Sequence, residues 1–129
     1  MPHILILEPD HLLAGSLEHY FASANMTTSI HSDPQMAISS ADRRRPDIVV
    51  AELQLAGRSG VEFLYEFRSY PDWQDLPAII FINFHPEQMT EYAGVLDELN
   101  IQTCLYKTTS GLPELLQSVL QALPKHAKV

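Results

Sequence analysis

Four short apolar runs, Ile4 to Leu7, Ile48 to Ala51, Ala78 to Ile82 and Thr103 to Tyr106, recur along the chain with amphipathic stretches between them. They are rich in β-branched residues and too continuous to be half-exposed, which is the pattern of strands buried on both faces of a parallel sheet. Met26 to His31 is a fifth strand, mostly polar apart from Met26 and Ile30, and is expected at a sheet edge.

The stretches between the runs read as helices. His11 to Ala24 places Leu12, Leu13, Leu17, Tyr20 and Phe21 at helical spacing, with Asp10 as its N-cap. Asp33-Pro34 opens the second helix as cap and first-turn proline, turning Met36, Ala37 and Ala41 inward until Pro46 stops it. A turn from Ala56 to Gly60 leads into a third helix marked by Val61, Phe63, Leu64 and Phe67. Gln88 to Leu99 is a weaker fourth, and Leu112 to Leu123 a fifth with Leu115, Leu116, Val119 and Leu120 on one face. About five strands alternating with about five helices predict an open, doubly wound α/β sheet with right-handed crossovers and helices on both faces. Its 129 residues suffice for one domain with a proper core.

Composition excludes several function classes. A net charge of −8 repels phosphate backbones and anionic lipid, so neither nucleic acid nor membrane is an expected partner. No apolar stretch approaches the ~20 residues of a membrane helix and the N-terminus lacks a basic signal region, so a cytoplasmic location is expected. The single Cys104 lies in an apolar run and reads as an inert, buried thiol. His3, His11, His19, His31, His85 and His126 show no metal-ligand spacing, and Ser59 and Ser110 lack an activating His and Asp. Arg43-Arg44-Arg45 suits a helix C-terminus, and Trp73, in the loop Pro71 to Asp75, is expected to pack on the preceding helix.

In sheets of this kind, function gathers at the carboxyl ends of the strands. Polar residues follow the apolar runs there: Glu8 and Asp10 after the first, Glu52 after the third in sequence, Asn83 after the fourth and Lys107 after the fifth. With strand order 2-1-3-4-5 these groups converge on one crevice, as a carboxylate cluster facing a single lysine.

These residues resemble the receiver domains of bacterial two-component response regulators, over essentially the whole chain. PDIVVAELQLAGRSG, residues 46 to 60, is similar to that family's third strand and following loop, with Glu52 at the phosphoacceptor aspartate. ILILEPD, residues 4 to 10, resembles the first strand and its acidic pair, LPAIIFIN the fourth strand, and CLYK ends at Lys107, the family's characteristic lysine. The resemblance implies a flavodoxin-like receiver over residues 1–124; 125–129 reads as a short polar tail, after which no output domain is expected.

The departures carry as much meaning. In the family the acidic pair holds a magnesium ion that bridges the acceptor carboxylate and the phosphoryl oxygens. Here Glu8 takes the first acidic position but Pro9 falls on the second, with Asp10 one step beyond. The switch hydroxyl falls on Ile82, or Asn83 with a one-residue slip; the aromatic switch position falls on Cys104, with Tyr106 nearby, and Thr108 follows the lysine in place of proline. Lys107 is expected to pair with Glu52.

The expectation is therefore a stand-alone degenerate receiver, without catalytic activity, metal or cofactor, acting by contact with another signalling protein such as a kinase or a separate output protein. The fourth helix, fifth strand and fifth helix form the expected face, with Tyr92, Leu96 and Tyr106 as anchors and a homodimer possible through it. Glu52, one methylene longer than aspartate, could also mimic the phosphorylated state. The alternatives are an active receiver in which Glu8 and Asp10 hold magnesium and Glu52 accepts phosphate, and a flavin- or nucleotide-binding enzyme on the same fold. The last is poorly served by Glu8-Pro9-Asp10, which adds charge and removes an N–H donor where a phosphate would bind.

Overall fold

The computed structural model describes residues 1–83, 86–101 and 103–124. The expected tail from Lys125 to Val129, together with His85 and His126, lies outside the described residues. The main sheet comprises β1 (His3–Leu7), β2 (Thr27–His31), β3 (Ile48–Ala51), β4 (Ala78–Ile82) and β5 (Thr103–Tyr106), all parallel, in the order β2-β1-β3-β4-β5. Five α-helices connect and flank them: α1 (His11–Ser23), α2 (Pro34–Arg43), α3 (Gly60–Ser69), α4 (Ala93–Glu98) and α5 (Leu112–Ala122).

Alternation within the apolar runs divides the core into two layers. Leu5, Leu7, Val49, Ala51, Ile80 and Ile82 pack with α2, α3 and α4, whereas Ile4, Ile6, Ile48, Val50, Ile79 and Phe81 pack with α1 and α5. Burial on both faces explains the lack of polar alternation in β1, β3 and β4. The edge strand β2 is half-buried throughout, as its polar sequence requires.

Helix boundaries follow local chemistry. Asp10 caps α1 by accepting from the Leu12 and Leu13 N–H groups, and Asp33 caps α2 by accepting from Met36. Asn25 at φ 62° and Asn100 at φ 58° adopt the left-handed conformation just beyond α1 and α4. The predicted fourth helix is divided: a 3₁₀ segment, Pro86–Tyr92, precedes the short α4. The turn before α3 forms a two-residue antiparallel ribbon, Gln54–Leu55 with Arg58–Ser59, reversed through Gly57 at φ 70°. Trp73 packs as expected, stacked on Phe67 with ring centroids 4.9 Å apart.

Three apolar positions differ from the sequence reading, Leu120 at the rim of the α5 stripe being 39% exposed. Met36 is exposed, because the buried stripe of α2 runs through Ala37, Ile38 and Ala41. Leu12 is 86% exposed, while Leu13 packs against the core behind it. The arginine run is divided among separate tasks: Arg43 closes the last turn of α2, Arg44 donates to Thr27 Oγ1 and Arg45 to the Asp72 carbonyl.

His3 pins the sheet edge. It is buried in β1, its backbone N–H donates to Asp47 Oδ2, and its ring nitrogens lie 2.7 Å from Thr27 Oγ1 and 2.7 Å from Ser29 Oγ on β2. Burial lowers its pKa below 6.5, the Arg44 guanidinium lowers it further, and Asp47 opposes both. The unfolded chain therefore takes up a proton in acid before the folded one does. The stability this neutral ring contributes is fully present above 6.5 and is lost as the pH falls toward the lowered folded value. Replacing His3 with Gln should leave a less stable protein at neutral pH whose urea midpoint falls less steeply across that window. Parallel slopes for the two proteins would overturn this assignment, since His31, lowered by burial and then Arg43, titrates in both.

Candidate functional site

The carboxyl ends of β1, β3, β4 and β5 meet at one edge of the sheet. Ladder-like backbone bonds continue one residue past the strands: Glu8 N–H donates to the His31 carbonyl, Glu52 N–H to Leu7 and Lys107 N–H to Ile82. The three charged side chains are thereby held on rigid strand ends rather than on loops.

The Lys107 ammonium bridges both glutamates, with Nζ 2.8 Å from Glu8 Oε1 and 2.8 Å from Glu52 Oε1. Both glutamates are 3% exposed and the lysine side chain 15%, so this is a buried ionic triad. The sequence suggested the Glu52 pairing; the equal share taken by Glu8 emerges only in three dimensions. Phe81 closes one side, its ring centroid 5.7 Å from the ammonium.

Backbone amides supply the remaining partners. Glu52 Oε1 also accepts from the Asn83 N–H at 3.2 Å, and Oε2 accepts from the Gln54 N–H at 3.0 Å. Glu8 Oε2 accepts from the Asp10 N–H at 3.1 Å. Every carboxylate oxygen of the pair thus has a donor, as a buried charge requires.

Gly60 is the packing condition for this arrangement. A Cβ there would lie 2.5 Å from the Glu52 carbonyl oxygen and 2.6 Å from Leu53 Cα, so only glycine lets α3 begin against the strand end. Its N–H donates to the Leu53 carbonyl at 2.8 Å.

The other predicted site residues have different places. Asp10 does not join the acidic pocket with its charge: its Oδ1 accepts from Leu12 and Leu13, and only its backbone N–H reaches Glu8. Pro9 is half-buried and brings no ligand to the second acidic position. Ile82 is fully buried in the core, and Asn83 reaches Glu52 through its backbone while its side chain is exposed. Cys104 and Tyr106 are half-buried on one face of β5, packed against the same core layer. Burial pushes the Cys104 thiol up, with the Tyr106 hydroxyl opposing and Glu52 adding to the rise, so the thiol is poorly nucleophilic at neutral pH. Leu96 is buried in the core and is removed as a surface anchor, whereas Tyr92 remains half-buried beside the core.

Three carboxylates around a vacant cation position would suit magnesium, which takes oxygen ligands and keeps several waters. This site instead presents two, with an ammonium already between them. Among the described residues no group of three or more His, Cys, Asp or Glu gathers as a metal cluster.

The sequence over residues 4–120, which spans the carboxyl ends of all five strands, matches the response regulator receiver domain. The chain belongs to the receiver domain family. Solved structures similar to this receiver include chemotaxis protein CheY4 of Vibrio cholerae, with a TM-score of 0.86 at 16% identity over 95% of this chain and 99% of that one. A sensor protein of Polaromonas sp. JS666 superimposes with a TM-score of 0.84 at 22% identity over 94% of each chain. The BeF3-activated receiver domain of Klebsiella pneumoniae RstA gives 0.81 at 20% identity, covering 95% and 99%. These likenesses establish the fold. An uncharacterized 76.5 kDa protein of Thiocystis violacea is 31% identical over 80 residues, or 62% of this receiver and 11% of the relative, so the chain spans about a tenth of that protein's length. No helix among the described residues is long and apolar enough to cross a membrane.

Proposed function

We propose that this receiver is a degenerate one, which transmits signals in a two-component pathway by protein contact without accepting a phosphoryl group or binding magnesium. The observation that carries the reading is the Lys107 ammonium held between Glu8 and Glu52 at 2.8 Å each. Phosphoryl transfer by this family is mostly charge neutralisation and positioning, with a metal bridging acceptor and phosphoryl oxygens. Here a covalently attached cation takes the bridging role, and the acceptor-position carboxylate is satisfied by the ammonium and two backbone amides. Glutamate at this position fills the anion-binding environment itself.

The partner in this reading is another signalling protein, engaged through α4, β5 and α5, where Tyr92 and Tyr106 border the core. Because the pocket carboxylate is sequestered, Glu52→Gln should retain affinity for that partner in isothermal titration. A large loss would instead assign Glu52 the role of a permanent phosphoryl mimic.

Magnesium with beryllofluoride, followed by amide NMR, tests the reading directly. No shifts are expected at Gln54, Asn83 or Lys107. Saturable shifts at those amides would favour an active receiver with unusual ligands.

A further inference from the structure

The fourth helix has little of its own to hold it. α4 is six residues and about 9 Å long, no side chain caps its first turn, and a helix that short is not stable by itself in water. Leu96 and Leu99 bury one side of it. The carbonyl of its C-cap, Leu99, is taken by a residue of another helix: Arg68 Nε donates to it at 2.9 Å.

Arg68 stands in the last turn of α3, where an arginine ordinarily serves the carbonyls of its own helix. Here its hydrogen bonds leave α3. Besides Leu99, Nη1 donates to the Trp73 carbonyl at 2.8 Å and to the Leu76 carbonyl at 2.6 Å. No carboxylate pairs with the guanidinium: among the described residues both salt bridges are made by Lys107, and Asp75 acts on Arg68 only through space. Nη2 is buried without a hydrogen-bond partner. A half-buried cation that leaves one nitrogen unsatisfied and spends the others on three carbonyls of two separate segments is arranged to hold those segments, not to balance charge. A planar fork can span them, whereas an ammonium presents a point charge.

We infer that Arg68 is a positioning residue for α4, a clasp that ties the C-terminal end of that helix to α3 and to the turn from Trp73 to Leu76, so that the three open and close as one unit. Elements held by few apolar contacts open locally, well below the cost of global unfolding, and the clasp joins two such elements to a helix anchored in the core by Phe63, Leu64 and Phe67. A helix fixed in this way presents its outer side already ordered, which lowers the ordering cost that a docking partner must meet. That bearing on signalling rests on the reading of α4 as part of the partner face. The clasp itself stands on its hydrogen bonds, and its test involves neither a partner nor Glu52.

Amide hydrogen exchange of the full chain, followed by NMR, tests it. In Arg68→Met the Leu99, Ile101, Trp73 and Leu76 amides, which donate to the Val95, Leu96, Tyr70 and Trp73 carbonyls, should become less protected. Their loss should exceed that of the Glu8 and Glu52 amides at the ends of the central strands by about tenfold or more. Arg68→Lys should lose nearly as much, because it keeps the charge without the fork. In the wild type, the Arg68 Nε–H should be protected to the same degree as the Leu99 and Ile101 amides and lose protection with the same dependence on urea, a readout that needs no variant to fold. Equal loss at every amide of Arg68→Met would reduce Arg68 to general stability and overturn the inference. So would a loss confined to Trp73 and Leu76 with α4 unchanged, full protection in Arg68→Lys, or a wild-type Nε–H that exchanges like that of an exposed guanidinium.

Discussion

Replacing Lys107 with Met is expected to lower the unfolding free energy by about 3–5 kcal/mol, far more than loss of a surface lysine. The reason is the company the ammonium keeps. Glu8 and Glu52 are each 3% exposed and each 2.8 Å from Nζ, so the substitution leaves two buried carboxylates facing one another without a counter-ion. Their backbone donors, the Asp10, Gln54 and Asn83 N–H groups, remain but supply only partial charge. For a domain of this size the loss corresponds to a melting temperature lower by roughly 6–20 °C. Divalent cations provide a second readout: magnesium or calcium should raise the stability of Lys107→Met while leaving wild type unchanged, because only the variant has paired carboxylates with no resident cation. A denaturation midpoint equal to wild type would remove the buried triad from the account of this fold.

The same triad shows what the sequence could and could not reveal. Strands buried on both faces announce themselves, because Ile4 to Leu7, Ile48 to Ala51 and Ala78 to Ile82 have no polar face to interrupt them; their order does not, since the same alternation fits more than one doubly wound sheet, and it was legible only through the resemblance to receivers. The residues at the strand ends were legible for the same reason, being the first polar residues after each run. Helix faces were less legible. Spacing groups Leu12 with Leu13 and Met36 with Ala37, but a helix on a sheet buries only a stripe, and which edge residue falls outside it depends on how the helix is rotated. The partners of Glu52 illustrate a harder limit: the donors from Gln54 and Asn83 are backbone groups, present at every non-proline residue, so no residue type marks them. Asp10 shows the converse, an acidic residue beside the pocket whose charge is spent on capping α1.

Restoring the acceptor aspartate alone, by Glu52→Asp, is expected to give no uptake of phosphate from acetyl phosphate. Transfer requires the acceptor carboxylate, a metal to neutralise the phosphoryl oxygens and the lysine, all positioned together. Shortening residue 52 by a methylene draws its carboxylate back from Lys107 and the Asn83 N–H, yet it does not supply the ligand missing at Pro9. Asp10 cannot substitute while its Oδ1 caps α1 through Leu12 and Leu13. Adding Pro9→Asp to Glu52→Asp should therefore be the smallest change that permits uptake, since it gives a metal a second carboxylate to compete with Lys107 for Glu8. A conformational response should need Ile82→Thr as well, because a hydroxyl at the end of β4 can follow a phosphoryl oxygen and an isoleucine cannot. That third change has its own cost: Ile82 is fully buried, and burying a hydroxyl there should take about 1–3 kcal/mol of stability, so melting must be followed beside activity. Intact mass reads each step. A phosphoryl-sized gain in Glu52→Asp alone would show that Glu8 and residue 52 can recruit a metal past the lysine, and that the degenerate reading is wrong.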